Sequence, residues 1–267
     1  MRFGPDEELV GVVSTPERAS ATAVVILNAG VLHRVGPHRL HVLLGRRLAK
    51  AGFRALRLDL GGIGDSVASS DATTFRESAV VDTRLAMSGL AAQRHVIFGV
   101  CAGADNALAT ALVDDRVAGI VLVDPHVYAS RLATLRALRM KATHLGPRET
   151  ILWGLGVVRR RMRSRLEQLR DRGKPEPQSE GREAPPIEQY RKQLATLVER
   201  GVKILAIYSG IHGTRYNHED QLFELFPELR GKVDRAYFPD ANHTFTELDA
   251  QAKLIETVTN WIATRFR

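Results

Sequence analysis

A single cysteine in 267 residues excludes an internal disulfide, so stability must come from packing, for which a chain of this length suffices. No apolar run approaches the ~18 residues that span a bilayer, and the N-terminus lacks the charged-then-apolar pattern of an export signal. The cytoplasm is therefore the expected location. No G-x-x-x-x-G-K-[ST] phosphate loop is present. No cluster of His, Cys and carboxylates has metal-site spacing, so neither metal nor cofactor is expected. Repeats are absent too. Acids are the scarcer charge: the formal net charge is +8. It is concentrated between Ser130 and Lys174, where 13 Lys and Arg face Glu149, Glu167 and Asp171, leaving the remainder of the chain slightly acidic. Such a block bears on partners rather than on fold.

What is present is an alternation of two kinds of segment. Near-continuous apolar runs at 23–27, 54–58, 95–99, 117–123, 202–208 and 233–238 read as parallel strands buried on both faces. Amphipathic stretches at 38–51, 75–92, 105–112 and 249–266 read as helices between them. The pattern predicts an α/β fold, a doubly wound and mostly parallel sheet. Residues 8–13 suggest an antiparallel edge strand. From about Val127 to Arg200 there are no strand signals. The expected organisation is a core over 1–128, a basic helical lid insertion over 129–200 with a loop near Gly173–Pro186, and the rest of the core over 201–267.

Gly99-Val100-Cys101-Ala102-Gly103 sits where a strand turns into a helix. A sharp turn there lifts a nucleophile clear of the backbone, and only small neighbours fit. The positive end of the following helix favours thiolate. A small buried cysteine on a tight turn is the plain structural alternative. The chain resembles the α/β hydrolases over nearly its whole length. The likeness is to the serine-aminopeptidase-like branch and to hydrolases associated with exosortase A systems. The residues that carry it are Asn28-Ala29-Gly30 with His33–Arg39, Asp59–Ser66 (D-x-x-G-x-G-x-S), the elbow at Cys101 and Asp240–Phe245. Most of that superfamily has serine at the elbow; cysteine is the departure.

The resemblance implies acyl transfer. His243, in a loop after the last strand, is the expected base, taking the thiol proton and returning it to the leaving group. No acid occupies the usual place after the penultimate strand, so Asp124, Asp220 and no acid at all stand as equal alternatives. The expected oxyanion donors are the Ala102 and Gly30 N–H groups. His33, Arg34, His38 and Arg39 could bind a polar or anionic substrate group or simply form a solvated loop. The basic insertion reads as a solvated helix face, as a dock for an acidic acyl carrier protein or CoA-type ligand, or as peripheral contact with an anionic membrane. No nucleic-acid module is visible. A (thio)ester hydrolase is the expected function. An acyltransferase is the alternative, and a non-catalytic binding protein on a hydrolase scaffold the third.

Overall fold

The computed structural model describes residues 1–4, 7–68, 74–146, 149, 151–156, 159, 162, 182, 184–212 and 215–267. Eight strands form one sheet: β1 (Arg2–Phe3), β2 (Leu9–Ser14), β3 (Thr22–Ile26), β4 (Arg54–Leu58), β5 (Arg94–Val100), β6 (Val117–Val123), β7 (Lys203–Ser209) and β8 (Asp234–Phe238). Their spatial order is β1-β2-β4-β3-β5-β6-β7-β8. From β4 to β8 every pairing is parallel, and β1 and β2 pair antiparallel at one edge. The six predicted parallel strands lie within a residue or two of the observed ones. The two-residue β1 was not foreseen, because it is too short to carry a period.

Helices cover both faces: α1 (Leu40–Lys50), α2 (Phe75–Ser88), α3 (Ala102–Val113), α4 (Arg131–Leu145), α5 (Ile187–Glu199), α6 (Gln221–Leu225) and α7 (Leu248–Phe266). Period-two alternation in the strands sorts side chains between two cores. Val24 and Ile26 pack with Leu44, Leu48, Val258 and Ile262 of α1 and α7. Ala23, Val25 and Leu27 pack on the opposite face with Ala107, Ala111, Leu194 and Leu197 of α3 and α5. The second predicted helix ends at Ser88 rather than Ala92, where Gly89 caps it. At its start Thr74 and Glu77 form a reciprocal capping box.

Between β6 and β7 the described residues are helical or irregular, with α4 and α5 as the two named helices. The guanidinium of Arg136 on α4 bridges to Glu224 of α6 at 2.8 Å. Tyr190 of α5, 1% exposed, packs with Tyr128, His126 and Phe226, which seats α5 beside the carboxyl ends of the strands. Most of the expected loop near Gly173–Pro186, and Arg160, Arg161, Arg163 and Arg165 of the basic run, lie outside the described residues.

At the β5–α3 junction a Cβ on Gly99 would lie 2.0 Å from the Gly103 carbonyl oxygen and 2.5 Å from the Ala104 nitrogen. Both are backbone atoms of a helix that cannot step aside. Gly99→Ala is therefore expected to destabilise the fold by about 3 kcal/mol or more, at the upper end of overpacking costs. A urea midpoint close to that of the parent would contradict this close approach.

Candidate active site

Cys101, Asp124 and His243 each follow the carboxyl end of a strand, the edge where open parallel sheets bind ligands. β5 and β6 are neighbours in register, Val100 opposite Val123. The Cys101 N–H donates to the Val123 carbonyl at 2.9 Å, and the next residue along β6 is Asp124. The cysteine has φ 55° and ψ −119°, a backbone conformation that side chains rarely adopt. Such strain is found where surrounding structure enforces it. Helix α3 starts immediately afterwards at Ala102, three residues earlier than the sequence pattern suggests. The Ala102 N–H is thus a first-turn donor with no partner inside the helix.

Asp124 is wholly buried. It accepts the Ser209 N–H at Oδ1 and the Ser209 hydroxyl at Oδ2, both at 2.7 Å. Ser209 closes β7, so the strand between Asp124 and the His243 loop supplies the seat for the carboxylate. His243 Nδ1 lies 2.7 Å from Asp124 Oδ2. Because the carboxylate can only accept, Nδ1 carries the proton and Nε2 is left for the cysteine. His243 hydrogen-bonds the thiol. That bond holds the Cys101 pKa below its ordinary value, with further help from the Arg182 guanidinium and the Ala102 amide against the opposing effect of burial. The bond to Asp124, and then the bond to Cys101, raise His243 to about 9. Each group therefore favours the charged form of the other: His243 eases loss of the thiol proton, and Cys101 helps the imidazole to keep its own.

The other candidate acid is elsewhere engaged. Asp220 precedes α6 and forms ion pairs with Arg235 and Arg230. The two acids were indistinguishable in sequence, and the structure brings Asp124, not Asp220, to His243.

The loop after β3 lies directly on the elbow: a Cβ at Gly103 would meet the Asn28 carbonyl oxygen at 2.5 Å. Gly30 in that loop has φ 60° and open space beside it. The Asn28 side chain ties the loop to the turn after β4, donating to Asp59 at 3.0 Å and accepting from Leu60 N–H at 2.8 Å. Arg34 is not free for ligand, since its guanidinium is paired with both Asp59 and Asp65. His33 Nε2 is 3.7 Å from each of these carboxylates. His33, Asp59 and Asp65 thus converge in a way their spacing did not announce, with Arg34 as the cation between the acids. Arg39 is exposed and starts α1 in a left-handed conformation, φ 62°. The exposed His38, φ 46°, precedes it.

Arg182, Asp105 and His126 were not among the expected site residues. Arg182 forks onto Asp105 with two bonds of 2.6 Å, donates to the Asp124 carbonyl at 2.9 Å and reaches Cys101 Sγ at 3.8 Å. His126 Nε2 lies 3.2 Å from the same Asp105. Asp105 is four positions after Cys101, on the same face of α3, and that spacing was a usable signal. Nothing around Arg182 offered one.

No protein-family model matches the chain, and no curated protein sequence does. Solved structures match along almost its full length. The proline iminopeptidase of Mycobacterium smegmatis superposes with TM-score 0.57 at 15% identity, covering 98% of this chain and 97% of that one. An esterase of Pyrococcus furiosus gives TM-score 0.59 at 16% identity, over 97% and 92%. Mouse α/β hydrolase domain-containing protein 10 gives 0.56 at 14%, over 98% of both chains. The fold is that of the α/β hydrolases. In this α/β-hydrolase fold the elbow residue is a cysteine, and the carboxylate at the histidine comes from the end of β6. No helix of the described residues is long and apolar enough to cross a membrane.

Proposed function

We propose that the protein is an acyl hydrolase acting on esters or thioesters through a thioacyl-enzyme on Cys101. The observation that carries this reading is the connected line from the Cys101 thiol through His243 to the buried Asp124. The Cys101 thiolate attacks the acyl carbonyl carbon, and the carbonyl oxygen becomes an oxyanion. The Ala102 N–H and the Gly30 N–H are the assigned donors to that oxyanion. The tetrahedral adduct collapses, the bond to the leaving group breaks, and the proton on His243 Nε2 passes to the leaving group. Water then attacks the thioester while His243 takes its proton. Collapse of the second adduct releases the acid and restores the ion pair. Asp124 keeps the ring in the working tautomer throughout.

The cysteine elbow gives one alternative particular support. A thioester intermediate is readily attacked by amines and thiols, so an acceptor held near Cys101 would turn hydrolysis into acyl transfer. The elbow, the Asn28-Ala29-Gly30 loop and the Asp59–Ser66 turn also support kinship with the serine-aminopeptidase-like and exosortase A-associated branches. We read the described residues between 129 and 200 as part of a lid. Leu132, Leu135, Ile151, Leu152 and Leu155 there are exposed large apolar side chains in a strongly basic segment, which supports an acyl donor with an acidic or phosphorylated handle, such as a carrier protein or CoA.

The deciding experiment offers an acyl thioester with and without an amine acceptor and follows both products and the mass of the protein. Acyl mass on Cys101 followed by free acid supports the hydrolase, and product on the amine supports transfer. A protein that neither turns over thioesters nor takes an acyl-type label on Cys101 is a binding protein on this scaffold.

The ion pair also sets a pH dependence. Acylation needs thiolate and imidazolium together, so kcat/KM should rise through the lowered thiol pKa and fall as His243 loses its proton near pH 9. Since the folded-state value of His243 is raised, its contribution to stability is complete below the ordinary imidazole range and is lost as pH climbs through about 9. A rate that keeps increasing above pH 9 would contradict the ion-pair mechanism.

A further inference from the structure

We propose that Arg182, fixed in place by Asp105, is a second positive group on the Cys101 sulfur that holds it as thiolate independently of His243. The inference rests on Cys101 being the nucleophile, and it extends the site to a residue the hydrolase reading leaves unused.

The Nε and Nη2 edge of the guanidinium is spent on the two oxygens of Asp105 at 2.6 Å. Nη1, on the other side, donates to the Asp124 carbonyl at 2.9 Å and points to Cys101 Sγ at 3.8 Å. Four of the five N–H donors of an arginine are thereby committed inside the protein, so this side chain is not a free clamp for a substrate carboxylate. Asp105 is only 8% exposed and sits on α3 one turn after the cysteine. The carboxylate therefore anchors the far edge of the cation, and its near edge faces the sulfur.

The charged and titratable surroundings agree. The thiol is faced by His243 from the loop after β8 and by Arg182 from the segment before α5. Asp124, from the end of β6, is bonded to His243. Around Arg182 lie Asp105 and, from α5, Tyr190. Tyr128 feels both Asp105 and Arg182. His126, which shares Asp105, is pushed toward its neutral form first by burial, and by Arg182 and Arg76 of α2 against the pull of Asp105. Arg182 is thus a second cation that reaches the sulfur, from a different segment of the chain than His243.

The chain's sole cysteine makes the test direct. The rate of Cys101 alkylation by iodoacetamide, and thiolate absorbance near 240 nm, are followed against pH in the parent, Arg182→Gln, Arg182→Lys and His243→Asn proteins. Arg182→Gln is expected to move the alkylation profile up by about one pH unit, a tenfold slower reaction on its rising limb. Arg182→Lys should recover most of that loss, and the shift should persist when combined with His243→Asn. A superimposable Arg182→Gln profile, or a lysine variant no better than glutamine, overturns the proposal. If Arg182→Gln fails to fold because Asp105 is left buried and unpaired, Arg182→Gln combined with Asp105→Asn is compared with Asp105→Asn alone, so that the loss of the carboxylate is common to both and the difference reads the guanidinium. Should Cys101 alkylate normally yet turn over no acyl substrate, the hydrolase reading fails while the profile still decides the role of Arg182.

Discussion

Replacing Cys101 with alanine is expected to reduce acyl-thioester turnover by about 10⁴-fold or more, with the urea midpoint almost unchanged. The two halves of this expectation have separate causes. The strain of the elbow, φ 55° at Cys101, is borne by the backbone and Cβ, which alanine retains, so the junction between β5 and α3 keeps its shape. Only Sγ is lost, and with it the atom that forms the covalent bond. His243 is half-buried and keeps its bond to Asp124, but it loses the thiol partner that helps to raise its pKa. Its titration, followed by NMR, should move down from about 9. Full activity in Cys101→Ala would end the nucleophile assignment, and an unchanged His243 titration would show that the ring does not sense the sulfur.

Asp124→Asn is the second large effect, with a loss of about 10²-fold in kcat, smaller than in serine triads because the thiol is the stronger acid. The reason lies in the donors around the carboxylate. Ser209 N–H, Ser209 hydroxyl and His243 Nδ1 all give hydrogen bonds to Asp124. An asparagine can accept at one atom only and must turn its NH2 group toward one of these donors. If it faces Ser209 N–H, two donors are buried against each other, and unfolding becomes easier by about 1–3 kcal/mol. If it faces His243, the ring must accept at Nδ1 and carry its proton on Nε2, where it can no longer take the thiol proton. Either way the carboxylate that most raises the imidazole is gone, so the falling limb of the pH profile should shift below pH 9. A variant with the parent's kcat and pH limits would mean that Asp124 serves only as a seat for Ser209. By contrast, Asp220→Asn should leave kcat unchanged, because its partners are Arg235 and Arg230.

Much of this was written in short stretches of chain. The strands at 23–27, 54–58 and 117–123 are runs too apolar to face water on either side, so their burial in a parallel sheet follows from composition and length alone. The elbow was legible because glycine and alanine crowd around Cys101, and the structure shows the clash that any larger residue at Gly99 would make. The strands and the elbow are local properties, decided within a few residues by steric limits and by the hydrophobic period. His243 was singled out by the resemblance to the α/β hydrolases, which places a histidine after the last strand.

The acid was not local. Asp124 and Asp220 each follow a strand signal or precede a helix, and nothing in either neighbourhood ranks them. The choice was made by strand order: β7 lies between β6 and β8, and its Ser209 supplies two donors that hold the buried Asp124 under His243. Arg182 came from a stretch without a readable pattern, and His33, Asp59 and Asp65 converge from two loops. The alternation of strands and helices, the strained turn and its thiol are set along the chain, because sterics and burial act over neighbouring residues. Which charges meet that thiol is set by folding, because Coulomb and hydrogen-bond energies depend on distances in space that pairing between remote segments creates.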